Sequence, residues 1–396
     1  MTRPFEGVRV IDATHVLAGP FAAYQLAVFG ADVVKVEDPN DPDQSRMSGG
    51  DRQLSRDGMG VYYLTQGSNK RSIALDLKTA AGRDIFKQLI ATADVLVENY
   101  RPGAFDALGL GYEALSAIQP RLIYCSISAY GREGPRGSET GYDFVIQAAT
   151  GLMAMTGTAD VHPVKFGAPA VDYATGTMAA FAISSALYQR ERTGRGQRID
   201  LAMYDVALML AASHVAGFKR TGKPPRPDGN NHAHATNCCY PTKDALLMLG
   251  ASNLRQQRRL WAALGRPEMA KRNNDERLDD RAREMAVLGD ILRTKTADEW
   301  AALLAKHGVP ASRVRTLPEA LADPQLATRD FLHTHASAPG VDGGFSVPVA
   351  AFKLAHGGAQ VTSPPPPIGA DTDAILQGLG LDAAAIAKLR AAKAVA

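Results

Sequence analysis

The first hundred residues alternate short β-type runs with apolar segments of helical length, and no other feature of the chain constrains its fold as strongly. Val8–Asp12 reads as a strand, followed after a turn by the apolar segment Phe21–Phe29. Pro20 suits the start of that helix and Gly30 its stop. Asp32–Glu37 reads as the second strand; helix Ala80–Thr92 leads into Val95–Glu98, and helix Tyr112–Ile118 into Leu122–Ser126. Strands separated by helices predict an α/β fold whose parallel sheet is covered on both faces.

After Asp172 the pattern changes. Ala174–Gln189 is a long apolar helix, Arg192–Gln197 a turn, and Ile199–Ala212 an apolar stretch that periodicity does not divide between strand and helix. Residues 220–237 are polar and rich in Gly, Pro and Asn, as a linker or loop would be. Beyond them lie a strand at Ala245–Gly250 and helices near Leu254–Leu264, Asp275–Arg293 and Ala297–His307, which read as a smaller domain. The chain closes with Pro364–Pro367, a helix at Thr372–Gly378 and an Ala/Lys-rich terminal helix.

Composition excludes several functions. Lys and Arg number 44 against 41 Asp and Glu, with no basic run long enough to track a phosphate backbone, so no nucleic-acid partner is expected. The longest apolar stretches, Thr177–Leu187 and Leu201–Ala212, fall short of the ~20 residues of a membrane span. Three cysteines, two of them adjacent, make no disulfide framework. With an acid at Glu6 and no signal-like start, the expected location is the cytoplasm.

Several segments invite a site. The turn His15–Pro20 has one glycine and lacks the Gly-x-Gly-x-x-Gly room for a dinucleotide, although it is a strand-to-helix turn at a sheet edge where α/β ligands bind. His232, His234, Cys238 and Cys239 lack the spacing of a structural zinc site, so no metal is expected. Gly194 and Gly196 read as a simple turn, Arg255, Arg258 and Arg259 as a solvated helix face, and Cys125 as inert packing in a strand. Two acids stand out: Asp143 heads the apolar segment Val145–Met153, and Asp172 follows the small-residue run Gly167–Val171 at the mouth of a long apolar helix. Asp is a favoured N-cap, so each reads first as a cap. An acid at a helix entrance in an apolar setting also reads as a positioned nucleophile.

These residues carry a resemblance to the family III CoA-transferases, the CaiB/BaiF group that includes formyl-CoA transferase, carnitine CoA-transferase and α-methylacyl-CoA racemase. Eight markers stand in family order: His15–Pro20, Gly30–Glu37, Asn69–Ile73, Asp94–Tyr100, Gly141–Asp143, Asp172–Gly176, Thr193–Gln197 and Pro364–Gly369. The resemblance implies transfer of CoA from an acyl-CoA to a free carboxylic acid, with Asp172 as nucleophile and an aspartyl anhydride and aspartyl-CoA as intermediates. CoA is then a substrate, and no permanently bound cofactor is implied. A carboxylate with a pKa near 4 is ionised at pH 7 and attacks a thioester without an activating base.

The resemblance further implies CoA contacts from Val16, Leu17 and Ala18, from Leu75, Asp76, Leu77 and Lys78, from Asn99, Tyr100 and Arg101, and from Tyr142 and Asp143. Leu17 replaces a glutamine of formyl-CoA transferase, Asp38 replaces an arginine near the nucleotide, and the tetraglycine loop of the oxalate enzyme is missing, which argues against formyl-CoA and oxalate. Small dicarboxylates such as succinate are the expected acyl group, paired by Arg and His residues near the 220–237 loop. The racemase branch pairs the aspartate with a histidine where this chain has Tyr142, a weak base at pH 7, so transfer is favoured over racemisation. A non-catalytic CoA-binding protein is disfavoured by the retained Asp172. The implied architecture is a Rossmann-like large domain built from residues 1–220 and 321–396, a small α+β domain inserted at 221–320, and two subunits interlocked as a homodimer.

Overall fold

The computed structural model describes residues 2–396. Six strands, β1 (Arg9–Ala13), β2 (Asp32–Glu37), β3 (Lys70–Ala74), β4 (Val95–Glu98), β5 (Ile123–Ser128) and β6 (Gln197–Ala202), form one sheet in the order 3-2-1-4-5-6. Every neighbouring pair is parallel, as the alternation predicts. The crossovers carry α1 (Ala18–Val28) after β1, α2 (Arg52–Arg56) and α3 (Val61–Gly67) after β2, and α4 (Ala80–Ala91) after β3. They continue with α5 (Ala104–Ala107) and α6 (Tyr112–Ile118) after β4, and α7 (Asp143–Ala149) and α8 (Ala170–Thr193) after β5; α9 (Met203–Leu210) and α10 (Ala212–Thr221) follow β6.

Successive strand residues face opposite sides, so the sheet has two cores. Val10, Val33, Val95, Val97 and Ile123 pack against Ala22 and Leu26 of α1 and Ala179 and Ile183 of α8. Ile11, Val34, Ile73, Leu96 and Tyr124 pack on the other side against Phe86 and Leu89 of α4, Leu115 of α6, and Ile375 and Leu376 of the helix Thr372–Gly378. Helix α1 is apolar all round because it touches the sheet on one side and α8 on the other. The stretch that periodicity left undivided splits at Met203, into β6 and then α9. Arg198 and Asp200 alternating with Ile199 and Leu201 are a period-two signal too short to read with certainty beside an apolar helix.

The described residues fall into two compact units. The first runs through Leu152 and includes Lys165–Lys223 and Gln325–Ala396; the second comprises Met153–Val164 and Pro224–Pro324. The second unit holds a three-stranded antiparallel sheet of Cys239–Pro241, Leu246–Leu249 and Ala311–Arg313, with a core around Trp261, Trp300 and Leu288. Its expected helix at Asp275–Arg293 is broken at Asp280, which ends the helix Asn274–Asp279, starts Arg281–Leu292 and receives an ion pair from Lys271. In the first unit the C-terminal residues return to the end of β3: Leu75 bridges Val395, and Asp76 N–H donates to Ala394 O at 2.9 Å.

Charged groups are buried between the first three strands and the segments beside them. Lys70 Nζ pairs with Asp12 at 2.7 Å, Lys35 Nζ with Asp43 at 2.9 Å, and Arg46 with Glu37 at 2.6 Å, all six side chains 2% exposed or less. Arg46 also lies over the Tyr63 ring at 3.7 Å and donates to Pro366 O. Removing one partner of such a pair leaves a charge stranded, so Arg46→Met is expected to cost about 3–5 kcal/mol in urea denaturation. Adding Glu37→Gln to that variant is expected to recover part of the loss.

Candidate active site

A cleft of about 540 Å³ lies at the carboxyl ends of β1, β4 and β5. In a 3-2-1-4-5-6 sheet the order reverses between β1 and β4, and the loops leaving those two strands diverge to open a crevice. The turn after β1 lines it with His15, Val16, Leu17 and Ala18, the segment after β4 with Asn99, Tyr100, Arg101 and Pro102, and the end of β5 and the segment after it with Ile127–Ala129 and Glu139–Tyr142. Arg101 is the one Lys or Arg among its lining residues. A second hollow of about 570 Å³ adjoins it, lined by Ser45, Ser48, Tyr62, Asp143, Phe144 and residues 165–169. Val16, Leu17, Gln44, Tyr142 and Asp172 line both.

Asp172 therefore stands where the two hollows meet. It is the third residue of α8, whose N-cap position is Pro169 and carries no side-chain cap, so Asp172 is not the cap that its sequence position suggests. Close contact between α1 and α8 brings it to the β1 turn. Gly176, one turn along α8, lies so near Ala18 that an added Cβ would be 2.5 Å from the Ala18 carbonyl oxygen, and Tyr173 meets Phe21 edge to face. The glycine of the Asp172–Gly176 segment has this steric reason.

Asp143 is also not a cap of its own helix. Tyr142 holds the N-cap position of α7, and Asp143 reaches 28 residues along the chain to accept Val171 N–H at 2.7 Å, as well as Asp172 N–H at 3.0 Å. Its other oxygen accepts from the Gln147 amide, whose own oxygen accepts Phe166 N–H at 2.9 Å. Asp143 thus caps α8 from a distance and fixes the main chain of Asp172, whose carboxylate has no hydrogen-bond partner among the described residues.

Burial pushes the Asp172 carboxyl up to about 7, and the nearby Asp143 adds to the shift. The expectation of full ionisation at pH 7 is therefore corrected: a carboxyl 8% exposed beside a like charge shares its state between acid and anion there. Burial likewise lowers the His15 imidazole, with Lys35 contributing.

The sites expected from sequence divide. Val16, Leu17, Ala18, Asn99, Tyr100, Arg101, Tyr142, Asp143 and Asp172 all line one hollow or the other. Leu75, Asp76, Leu77 and Lys78 do not: Leu75 and Leu77 are core residues, Asp76 caps Lys78 N–H at 2.8 Å, and Lys78 reaches Asp38 at 2.9 Å. The Arg and His residues near the 220–237 loop are absent from both linings. Gln44, Tyr62 and Lys165 were not legible, because each sits in a short segment without period or motif. Lys165 is the one cation lining the second hollow. Cys125 is fully buried, with its thiol pushed up by that burial, and Gly194 turns the chain after α8 at φ +69°. Cys238 Sγ accepts His232 N–H, and no cluster of three or more His, Cys, Asp or Glu able to hold a metal occurs among the described residues.

A doubly wound sheet with a two-part cleft at its switch point and an unpaired carboxylate between the parts is the form of an α/β enzyme that binds a large nucleotide-like substrate. Comparison narrows that class. The model of CoA-transferase family III matches residues 5–372. A succinate–glutarate CoA-transferase of Agrobacterium fabrum is 37% identical over 82% of this chain and 84% of its own. The human succinyl-CoA:glutarate CoA-transferase is 35% identical over 99% and 90%. A crystal structure of a CaiB/BaiF family protein from Brucella suis superposes with a TM-score of 0.81 at 34% identity, covering 96% of this chain and all of that one. The chain belongs to CoA-transferase family III, and it is a CoA-transferase that acts on CoA thioesters.

The raised Asp172 carboxyl has a consequence for stability. A carboxyl whose folded pKa lies above its ordinary value near 4 contributes stability that is complete below that value and lost as pH rises through 7. Asp172→Asn, of equal size and uncharged throughout, is expected to raise the melting temperature by several degrees at pH 8 and to leave it nearly unchanged at pH 4. An equal effect at both pH values would contradict a perturbed carboxyl.

Proposed function

We propose that Asp172 is the nucleophile of CoA transfer and that the acyl groups exchanged are small dicarboxylates. The observation that carries this reading is the unpaired Asp172 carboxylate at the junction of two hollows; on this reading the first takes CoA and the second the acid. Arg101, the one Lys or Arg lining the first, would meet CoA phosphate together with main-chain groups of the surrounding turns. Lys165 is the one cation lining the second and has no ion-pair partner among the described residues. An ammonium in a hollow also lined by Gln44, Ser45, Ser48 and Tyr62 suits a distal carboxylate, and it takes the role expected of the Arg and His residues near the 220–237 loop. The relatives named for succinate and glutarate point to the same acids.

The chemistry follows from the carboxylate. An Asp172 oxygen attacks the thioester carbonyl, the C–S bond breaks and CoA leaves as thiolate, giving an acyl-aspartyl anhydride. The thiolate attacks the Asp172 carbonyl carbon and expels the first acid as its carboxylate, leaving aspartyl-CoA. The acceptor carboxylate attacks that thioester and expels CoA thiolate once more. The thiolate then attacks the acceptor's carbonyl, which forms the new acyl-CoA and frees Asp172. No proton is consumed, so no separate base is needed. Because the anion is the reactive form, kcat/KM is expected to rise with pH through about 7.

The interlocked homodimer belongs to the same proposal. Phe181 and Tyr188 of α8, Met209 and Leu210 of α9 and Phe218 of α10 are exposed on consecutive helices, an apolar cost that a second copy would relieve. Sedimentation is expected to give twice the chain mass. A cytoplasmic site of action fits three free cysteines, and no helix among the described residues is long and apolar enough to cross a membrane.

Incubation with succinyl-CoA followed by hydroxylamine and peptide mass analysis is expected to place the adduct on Asp172, and Asp172→Ala to lower kcat by at least ~10³-fold. An adduct elsewhere, or solvent deuterium entering the α-carbon without an acceptor acid, would overturn the transfer mechanism. Lys165→Ala is expected to raise KM for succinate or glutarate roughly tenfold while leaving acetate little changed. An equal effect on both acids would remove Lys165 from dicarboxylate recognition.

A further inference from the structure

At the centre of the turn beside Asp172 is a residue in a conformation that its own side chain disfavours. Val16 has φ +72°. A β-branched residue in the left-handed region is an outlier, because Cβ crowds the following carbonyl. Such strain persists only where the surroundings over-determine it.

Here they do, through side chains far away in sequence. Asn99 Oδ1 accepts His15 N–H at 2.9 Å, and its Nδ2 donates to His15 O at 2.8 Å. Asp43 Oδ1 accepts Val16 N–H at 2.9 Å. Gln66 Nε2 donates to Val16 O at 2.5 Å. Every main-chain polar group of His15 and Val16 is thus held by a side chain. Asp43 is itself fixed: burial would raise its carboxyl, but Lys35 and the N–H groups of Val16 and Ser45 outweigh burial and hold it at about 2. Gln66 makes the opposite trade. Its Oε1 is buried with no hydrogen-bond partner, so the amide is kept in the interior for its bond to Val16.

We propose that Asp43 and Gln66 are positioning residues for the transfer reaction, a clamp that holds Val16 left-handed so that Leu17 and Ala18 are set against Asp172. Val16 and Leu17 line both hollows with Asp172, whereas Asp43 and Gln66 line neither. They act through the main chain. Leu17 is the N-cap of α1 and provides no side-chain cap, so the N–H of Ala18, a lining residue, is an uncapped main-chain donor at the cleft wall. A flip of Val16 to negative φ would redirect the peptides at 16–18 and leave the sheet in place.

The proposal rests on transfer at Asp172, and its test separates the two. Single-turnover formation of the Asp172 adduct from succinyl-CoA is compared in the wild type, Gln66→Met, Val16→Gly and the double variant, alongside kcat and KM. Gln66→Met keeps the volume, removes the donor and strands no charge, so the variant is expected to fold. The expected result is a kcat and adduct rate roughly 10- to 100-fold lower with KM for succinyl-CoA within about threefold. Adding Val16→Gly is expected to restore at least about tenfold, since glycine adopts positive φ without a clamp. In a parallel pair, Asp43→Asn keeps an acceptor for Val16 N–H and is expected to retain more kcat than Asp43→Ala. A wild-type adduct rate in Gln66→Met, or no recovery on adding Val16→Gly, would overturn the clamp. Absence of any Asp172 adduct in the wild type would instead overturn the reaction on which it rests.

Discussion

Two buried lysines, Lys35 and Lys70, hold the first strand-to-helix turn in place, and much of the molecule is arranged around them. Lys35 Nζ donates to Thr14 O at the start of that turn, and Lys70 Nζ to Pro20 O at its far end. An ammonium buried without a partner is driven to neutrality, so each needs a carboxylate: Asp43 for Lys35 and Asp12 for Lys70. Burial and the neighbouring carboxylates act oppositely on Lys35, and the carboxylates prevail. These groups come from β1, β2, β3 and the loop after β2, so the turn is correctly shaped only when three strands are in register. A purely apolar interior would pack as well, but it would offer nothing to grip carbonyl oxygens.

The reaction inherits this arrangement. Asp172 arrives on α8, and two independent contacts place it: Asp143 binding the first turn of α8, and the close approach of Gly176 to Ala18. Neither contact touches the Asp172 carboxylate, which is left without a hydrogen-bond partner among the described residues. Its elevated pKa follows from the same placement, since burial between the two hollows withholds water and Asp143 stands nearby. The transfer cycle contains two anhydrides that water would destroy, so exclusion of water and a raised carboxyl pKa are two results of one geometry. A single Lys or Arg lines each hollow, Arg101 in the first and Lys165 in the second.

Local sequence determined a large part of the fold. Strands β1, β2, β4 and β5 and helices α4 and α6 lie within two residues of where alternation and helical period put them, because a strand or helix face is written in neighbours two to four positions apart. The parallel sheet and the ligand-binding crevice at the β1 turn follow from the same alternation. The resemblance carried the reading on to CoA transfer and singled out Asp172.

What only the tertiary structure decided were the contacts between residues distant in the chain. Asp143 looked like a cap and proved to be one, but for a different helix, a fact that rests on a pairing 28 residues long. In the segment Leu75–Lys78, expected at the ligand, Leu75 and Leu77 are buried while Lys78 is exposed, and the chain's last residues dock against its start. Nothing local marks Asp43, Gln66 or Lys165: the bonds of Asp43 and Gln66 to Val16 exist only when the loop after β2 and α3 meet the β1 turn, and Lys165 lines a hollow that only the folded chain forms. The pKa of Asp172 belongs to this group as well. An aspartate has one value in the unfolded chain, and only folding can remove its water and bring a second carboxylate beside it.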